Sequence, residues 1–145
     1  MVDFSNISRH KVDGNTVVDF VIHELEGSPI LKVVPAGEAN KDLLNYILKN
    51  SQKLQKAARS RVDADMLAKT REEDKKTYAQ FVVKGWEDVV ENNGKEVEFN
   101  AENCLGFLQA LPDHIFDRLR QFCIAPANFM NAGDDEPAEP ATPKN

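Results

Sequence analysis

Two apolar runs near the N-terminus, joined by a turn, constrain the fold of this chain more than any other feature. Residues 16–25 are β-branched or aromatic at most positions, and residues 30–34 form a second apolar run. The sequence Gly-Ser-Pro at residues 27–29 favours a tight turn between them. This pattern predicts a β-hairpin over about residues 15–35. Because an isolated hairpin is marginally stable in water, it must pack on the rest of the chain.

After the hairpin, apolar residues recur at helical spacing, which predicts a mainly α protein with an N-terminal β-hairpin, an α+β fold. Asn40, Asp63 and Asn100 each precede such a stretch and are side chains that cap helix N-termini. Pro112 suits the first position of another helix. We therefore predict four helices, over about residues 40–58, 64–91, 101–111 and 112–124.

The longest predicted helix, residues 64–91, has two halves of different character. Its first half is charged nearly all round, which is typical of a solvated face. Its second half places Trp86 on one helical stripe with Val82 and Val90, which predicts that this half is buried. The expected C-terminal core consists of Trp86, Phe99, Leu108, Phe116, Phe122 and Phe129.

The composition is that of a soluble globular protein, with 145 residues, 41% of them hydrophobic and 29% charged. Such a length fits one domain, which we place at residues 1–132. Residues 133–145 are acidic and Pro-rich and lack large apolar side chains, so we predict a disordered tail. The net charge of −6 argues against nucleic-acid and anionic-membrane partners. No apolar run is long enough to span a bilayer, and the N-terminus lacks a signal-peptide pattern.

Residue types that carry chemistry do not form a recognisable set. His10, His23 and His114 have no carboxylate or cysteine at a metal-ligand spacing. Cys104 and Cys123 lie in apolar helical stretches, which predicts buried and unreactive thiols. The glycines are scattered, so no phosphate-binding loop is indicated. We therefore expect no catalytic residues, no metal site and no cofactor, and we expect a protein that is not an enzyme.

The order of structural residues over 78–130 is distinctive. A Gly-Trp pair at 85–86 precedes an acidic step, and a Gly-Lys turn follows at 94–95. A helix entry, a Leu-rich helix that ends at Pro112, and a closing Pro-Ala-Asn-Phe at 126–129 come next. This order resembles the tail assembly chaperones of long-tailed bacteriophages.

The resemblance implies a scaffold protein of the host cell cytoplasm that is absent from the finished virion. Proteins of that family bind the long, aggregation-prone tape measure protein and bring tail tube protein subunits to it. A second copy of this chain, in a homo-oligomer, is a further expected partner. Exposed faces of the first two helices are the expected partner-binding surfaces, through Leu43, Ile47, Leu54, Met66 and Leu67.

Two other functions stay open at this point. One is a virion structural component, such as a minor tail protein or a head–tail joining protein, which would be found in purified particles. The other is an acidic inhibitor, which requires carboxylates spread along one continuous surface. The 18 basic residues interleaved along this chain weaken the inhibitor hypothesis.

Overall fold

The protein is mixed α+β, as the sequence predicts. The computed structural model describes Phe4, Ile7, residues 11–50 and residues 63–130. The predicted tail, Leu54 and residues 51–58 of the first predicted helix lie outside the described residues. The elements in chain order are β1 (Val18–Val21), β2 (Ile30–Val33), α1 (Lys41–Lys49), α2 (Ala64–Phe81), β3 (Val83–Glu87), α3 (Ala101–Ala110), α4 (Asp113–Ile124) and a short 3-10 turn (Pro126–Asn128).

The predicted hairpin is present and forms two strands of a three-stranded antiparallel sheet in the order β1-β2-β3. Gly27 and Ser28 both have positive φ, 84° and 46°, so the turn between β1 and β2 uses the left-handed region that glycine adopts without strain. Alternation along each strand sends every second side chain to the same face. An irregularity of the β2–β3 register at Lys32 and Val33 brings Val83 and Trp86, three residues apart, to the same face. Paired apolar residues form two rows on the core face: Phe20, Leu31 and Trp86, then Val18, Val33 and Val83.

The opposite face of the sheet carries charges that cross all three strands. Lys32 on β2 has its Nζ 2.8 Å from a carboxylate oxygen of Asp19 on β1 and 3.0 Å from one of Glu87 on β3. Gly85 pairs with Lys32 in the register, and a Cβ at Gly85 would lie 3.7 Å from the Lys32 side chain. The two faces therefore differ sharply, because one is apolar and the other is bridged by ion pairs.

The helix predicted over residues 64–91 requires correction, because α2 ends at Phe81 and the strand β3 follows it. The spacing of Val82, Trp86 and Val90 fits a helix, but residues four apart also share one face of a strand. β2 would be an open sheet edge without β3, and pairing satisfies its backbone groups. Gly85 also disfavours a helix at this point. Tertiary pairing therefore overrides the helical pattern.

Aromatic contacts join the core face of the sheet to the helices. Phe20 of β1 packs edge-on against Phe122 of α4, with ring centroids 5.2 Å apart, and Tyr78 of α2 packs against Phe116 of α4 at 5.7 Å. Among the expected core residues, Leu108, Phe116 and Phe129 are buried. The others, Trp86, Phe99 and Phe122, are partly buried and pack against that core.

One buried amide connects three parts of the fold. Asn40 caps α1, because its Oδ1 accepts a hydrogen bond from the backbone N–H of Leu43 at 3.1 Å. Its Nδ2 donates to the backbone carbonyl oxygens of Pro35 and Phe81, at 2.9 and 3.0 Å. The end of the hairpin, the start of α1 and the end of α2 are thereby held together.

Gly14 lies where the N-terminal loop meets the residue before this cap. A Cβ at Gly14 would lie 1.9 Å from the backbone oxygen of Ala39, so the chain would have to move. We expect Gly14→Ala to lower the free energy of unfolding by about 2 kcal/mol, as overpacking does. Gly37→Ala is the control, because nothing lies within 4 Å of its Cβ position. Equal urea midpoints for the two variants would contradict this expectation.

Trp86 provides a second test of the fold. Its ring packs against Phe99 and Phe107 at 5.1 and 5.4 Å, and its Nε1–H donates to the carbonyl oxygen of Val97 at 2.9 Å. Because the ring is only partly buried, Trp86→Ala should cost about 3 kcal/mol, the lower end for aromatic truncations. Trp86→Phe keeps an aromatic ring and loses the donor, which should cost about 1 kcal/mol. Urea denaturation followed by circular dichroism measures both, and an unchanged Trp86→Ala midpoint would refute the structural role.

Candidate functional site

The helix α1 exposes apolar side chains although one side of it is packed. Leu43 is buried and belongs to the core, so this residue, expected at a partner interface, is not accessible in the folded protein. Tyr46 also faces inward, with its ring 5.3 Å from that of Phe81. By contrast, Ile47 is 40% exposed and Leu48 is 62% exposed. The apolar arc of α1 is therefore wider than the face that the fold covers.

The other expected partner residues lie at the start of α2. Asp63 caps this helix by accepting a hydrogen bond from the N–H of Met66 at 2.9 Å. Met66 is partly buried, whereas Leu67 is 56% exposed. Since α1 meets α2 near Phe81, about 20 Å along the helix from Leu67 at 1.5 Å per residue, the two exposed apolar sites do not form one surface.

Ion pairs connect α2 to α4 over a sequence distance that local patterns cannot reveal. Arg71 donates from Nε and Nη2 to the two oxygens of Asp117, both at 3.1 Å, and its Nη1 is 3.5 Å from Asp113. Arg120 donates from Nη1 to Asp74 at 2.7 Å and from Nη2 to Asp117. The bidentate geometry of Arg71 is the strong form of this interaction.

Further polar contacts extend this network into the protein. Lys75 is buried, and its Nζ lies 5.7 Å from the centre of the Phe116 ring and 3.9 Å from a carboxylate oxygen of Glu72. The second oxygen of Glu72 accepts a hydrogen bond from Gln109 of α3 at 2.6 Å. The charged run that the sequence assigns to a solvated face therefore includes groups that join three helices.

The spacing of charged residues in the sequence carries a signal of this network. Asp113 and Asp117 are four residues apart, so they share one face of α4. Arg71 and Asp74 are three residues apart and share one face of α2. Complementary charges at helical spacing on two helices are typical of helices that pair, but the sequence does not say which helices meet.

The environment of the titratable groups reflects these contacts. Hydrogen bonds from Arg71 hold the pKa of the Asp117 carboxyl below its ordinary value. Burial raises the pKa of Cys104 and of Cys123 to about 12, so both thiols stay protonated and unreactive near neutral pH. Burial also raises the pKa of Tyr78. These shifts arise from packing and pairing, and none of these groups is poised for proton transfer near pH 7.

A polar cleft of about 410 Å³ lies between the N-terminal loop, the start of α1 and the start of β3. Charges of both signs line it, from Asp13, Asp42, Lys41 and Lys84. The amide of Asn40 also lines the cleft, but its donor and acceptor are already used within the fold. The lining therefore does not select a ligand of one charge.

Two general features are absent from the part of the chain that the structure describes. Within residues 11–50 and 63–130, no group of three or more His, Cys, Asp or Glu side chains is arranged to hold a metal ion. None of the helices in these ranges is long and apolar enough to cross a lipid bilayer.

The lowered pKa of Asp117 makes a prediction for acid stability. A carboxyl with a depressed folded-state pKa stabilises the fold above its unfolded-state pKa, and this contribution is lost as the pH falls through the folded-state pKa. We therefore expect the urea midpoint to fall as the pH is lowered from about 5 to about 2, and to fall less in Asp117→Asn. Glu38→Gln is the control, because Glu38 is exposed and forms no ion pair with another described residue. Equal pH dependence of the two variants would contradict the assignment.

Comparison with known proteins identifies a family for this chain. Curated proteins and solved structures gave no significant match to it. A family model described as YdaY prophage protein matches residues 39–140, which span α1 to α4 and so include the exposed face of α1 and the ion pairs between α2 and α4. Since this match covers more than half of the chain, the protein belongs to the YdaY prophage protein family and is of phage origin.

Proposed function

We propose that this protein is a tail assembly chaperone, which binds the tape measure protein of its phage and helps to recruit tail tube subunits in the host cell cytoplasm. The observation that carries the proposal is the pair of exposed apolar side chains on α1, Ile47 and Leu48. The cap by Asn40 and the contact of Tyr46 with Phe81 fix α1 on the body of the protein. A fixed helix with an uncovered apolar face is suited to binding a second amphipathic helix.

Phage origin and charge support the same function. Membership of a prophage family fits a role in making a phage particle. A chaperone for a long hydrophobic protein must keep the complex in solution, and a net charge of −6 favours solubility. The resemblance of residues 78–130 to tail assembly chaperones names the partner. The exposed apolar side chains of α1, Ile47 and Leu48, support binding of that partner.

A binding protein fits the chemistry of the described residues better than an enzyme does. The thiols of Cys104 and Cys123 are buried, and their raised pKa keeps them protonated. The carboxylate of Asp117 is held by Arg71 and Arg120. Groups in such environments stabilise a fold, and an acid–base pair for catalysis requires other surroundings.

The pairing of carboxylates also bears on the acidic inhibitor hypothesis. Asp74, Asp113 and Asp117 face arginines, while Asp19 and Glu87 share Lys32. An inhibitor that imitates a nucleic acid needs carboxylates that stay available along one surface. Because these five are neutralised within the protein, the chaperone is the better proposal.

Co-expression with the tape measure protein of the same phage tests the proposal. We expect the native chain to keep the tape measure protein in the soluble fraction. The double substitution Ile47→Asp and Leu48→Asp should abolish this effect, because charges on the apolar face oppose helix docking. Ile124→Asp is a matched control, because Ile124 is 60% exposed on a different element.

The outcomes separate the hypotheses. Thermal melting by circular dichroism shows whether each variant is folded, and both substituted sites are exposed, so each should melt close to the native chain. If the tape measure protein precipitates equally with and without the native chain, the chaperone proposal is rejected. If both variants retain the effect, the partner surface is not on α1. Recovery of the protein from purified particles would instead favour a virion component.

A further inference from the structure

We infer that the N-terminal half of α2, residues 64–74, is an arm that ion pairs hold against α4 and that competing charges release. These ion pairs act as a latch. The latch is a property of the fold and does not depend on the proposed function. It requires that this half of the helix has few apolar contacts, that its polar contacts are accessible to salt, and that the other half is anchored independently.

The distribution of burial along α2 meets the first requirement. The buried side chains of this helix are Lys75, Tyr78 and Ala79, all beyond residue 74. Within the arm, Met66 is partly buried and no side chain is fully buried. Because burial of apolar surface is the main force that holds helices together, the arm lacks the usual attachment.

The contacts that do hold the arm are polar and join side chain to side chain. Arg71 pairs with Asp113 and Asp117, and Asp74 pairs with Arg120. Glu72 also accepts a hydrogen bond from Gln109 of α3. Arg71 and Asp117 keep 25% and 35% of their side-chain surface exposed. Ions in solution can therefore reach these pairs and weaken them, although less than they weaken fully exposed pairs.

The C-terminal half of α2 has a different anchor. Tyr78 packs edge-on against Phe116, and Ala79 belongs to the same buried core. Asn40 holds the carbonyl group of Phe81 at the end of the helix. When the ion pairs break, this half keeps its position and the arm alone separates from α4. A helix as short as the free arm is marginal in water, so the arm should then fray.

Release of the arm has a consequence for binding, which rests on the proposed function. The arm carries Met66 and Leu67, the second of the two expected partner sites. A strongly charged partner would compete for Arg71 and Asp117, which would free the arm at the moment of contact. Binding at this site would then be coupled to the electrostatic latch, whereas binding at α1 would not.

Hydrogen exchange of the purified full chain tests the latch directly. Amides of residues 64–74 are compared at about 0.05 M and about 1 M NaCl, which shortens the screening length from above 10 Å to about 3 Å. We expect exchange in the arm to become about fivefold faster at high salt, the change that the loss of one partly exposed pair produces. Exchange in β2 serves as the internal reference and should not change, because the strands that pair with β2 are β1 and β3.

Two variants make the test specific. Arg71→Gln removes the pairs with both aspartates, so its arm should exchange rapidly at low salt and respond little to further salt. Lys76→Gln removes the same charge from the same helix, but the ion pair of Lys76 is with Glu73 of α2, so it should behave as the native chain. Salt-independent exchange in the native arm would overturn the inference. Equal acceleration in the arm and in β2 would also overturn it, because that result indicates global unfolding.

Discussion

The pairing of β2 with strands on both sides is the constraint on which the rest of the structure depends. β1 alone would leave a two-stranded hairpin, which is marginal in water. β3 supplies the missing neighbour and brings Trp86 beside Leu31, so that residues from the C-terminal half of the chain complete the core face. Asn40 reinforces the junction, because its side chain reaches the carbonyl groups on both sides of it.

Electrostatic interactions have two distinct roles in this fold. Across the sheet, Lys32 neutralises Asp19 and Glu87 on a solvent-facing surface, where each pair contributes little to stability. Between α2 and α4, the bidentate pair of Arg71 with Asp117 replaces the apolar packing that the charged half of α2 lacks. The second role makes the position of this helix half sensitive to ionic strength.

Phage origin and the exposed apolar side chains bear on the function of this protein. Membership of the YdaY prophage protein family places the chain among phage proteins. The fold presents one accessible apolar face on α1 at Ile47 and Leu48 and a separate one at Leu67. Two separated sites of this kind suit a protein that holds an extended partner at more than one point, which is how the proposed chaperone would act on a long tape measure protein.

The sequence by itself determined the hairpin, the mixed α+β class and the helix starts at Asn40, Asp63 and Asn100, because turn residues and caps act through bonds to near neighbours. Only the tertiary structure decided that residues 83–87 form a strand, since its hydrogen bonds come from β2, some fifty residues earlier in the chain. The same holds for the burial of Leu43, which depends on what α1 packs against, and for the network of Arg71, which joins side chains 46 residues apart. Local patterns specify which faces are apolar or charged, but the partner of each face is chosen only when the chain has folded.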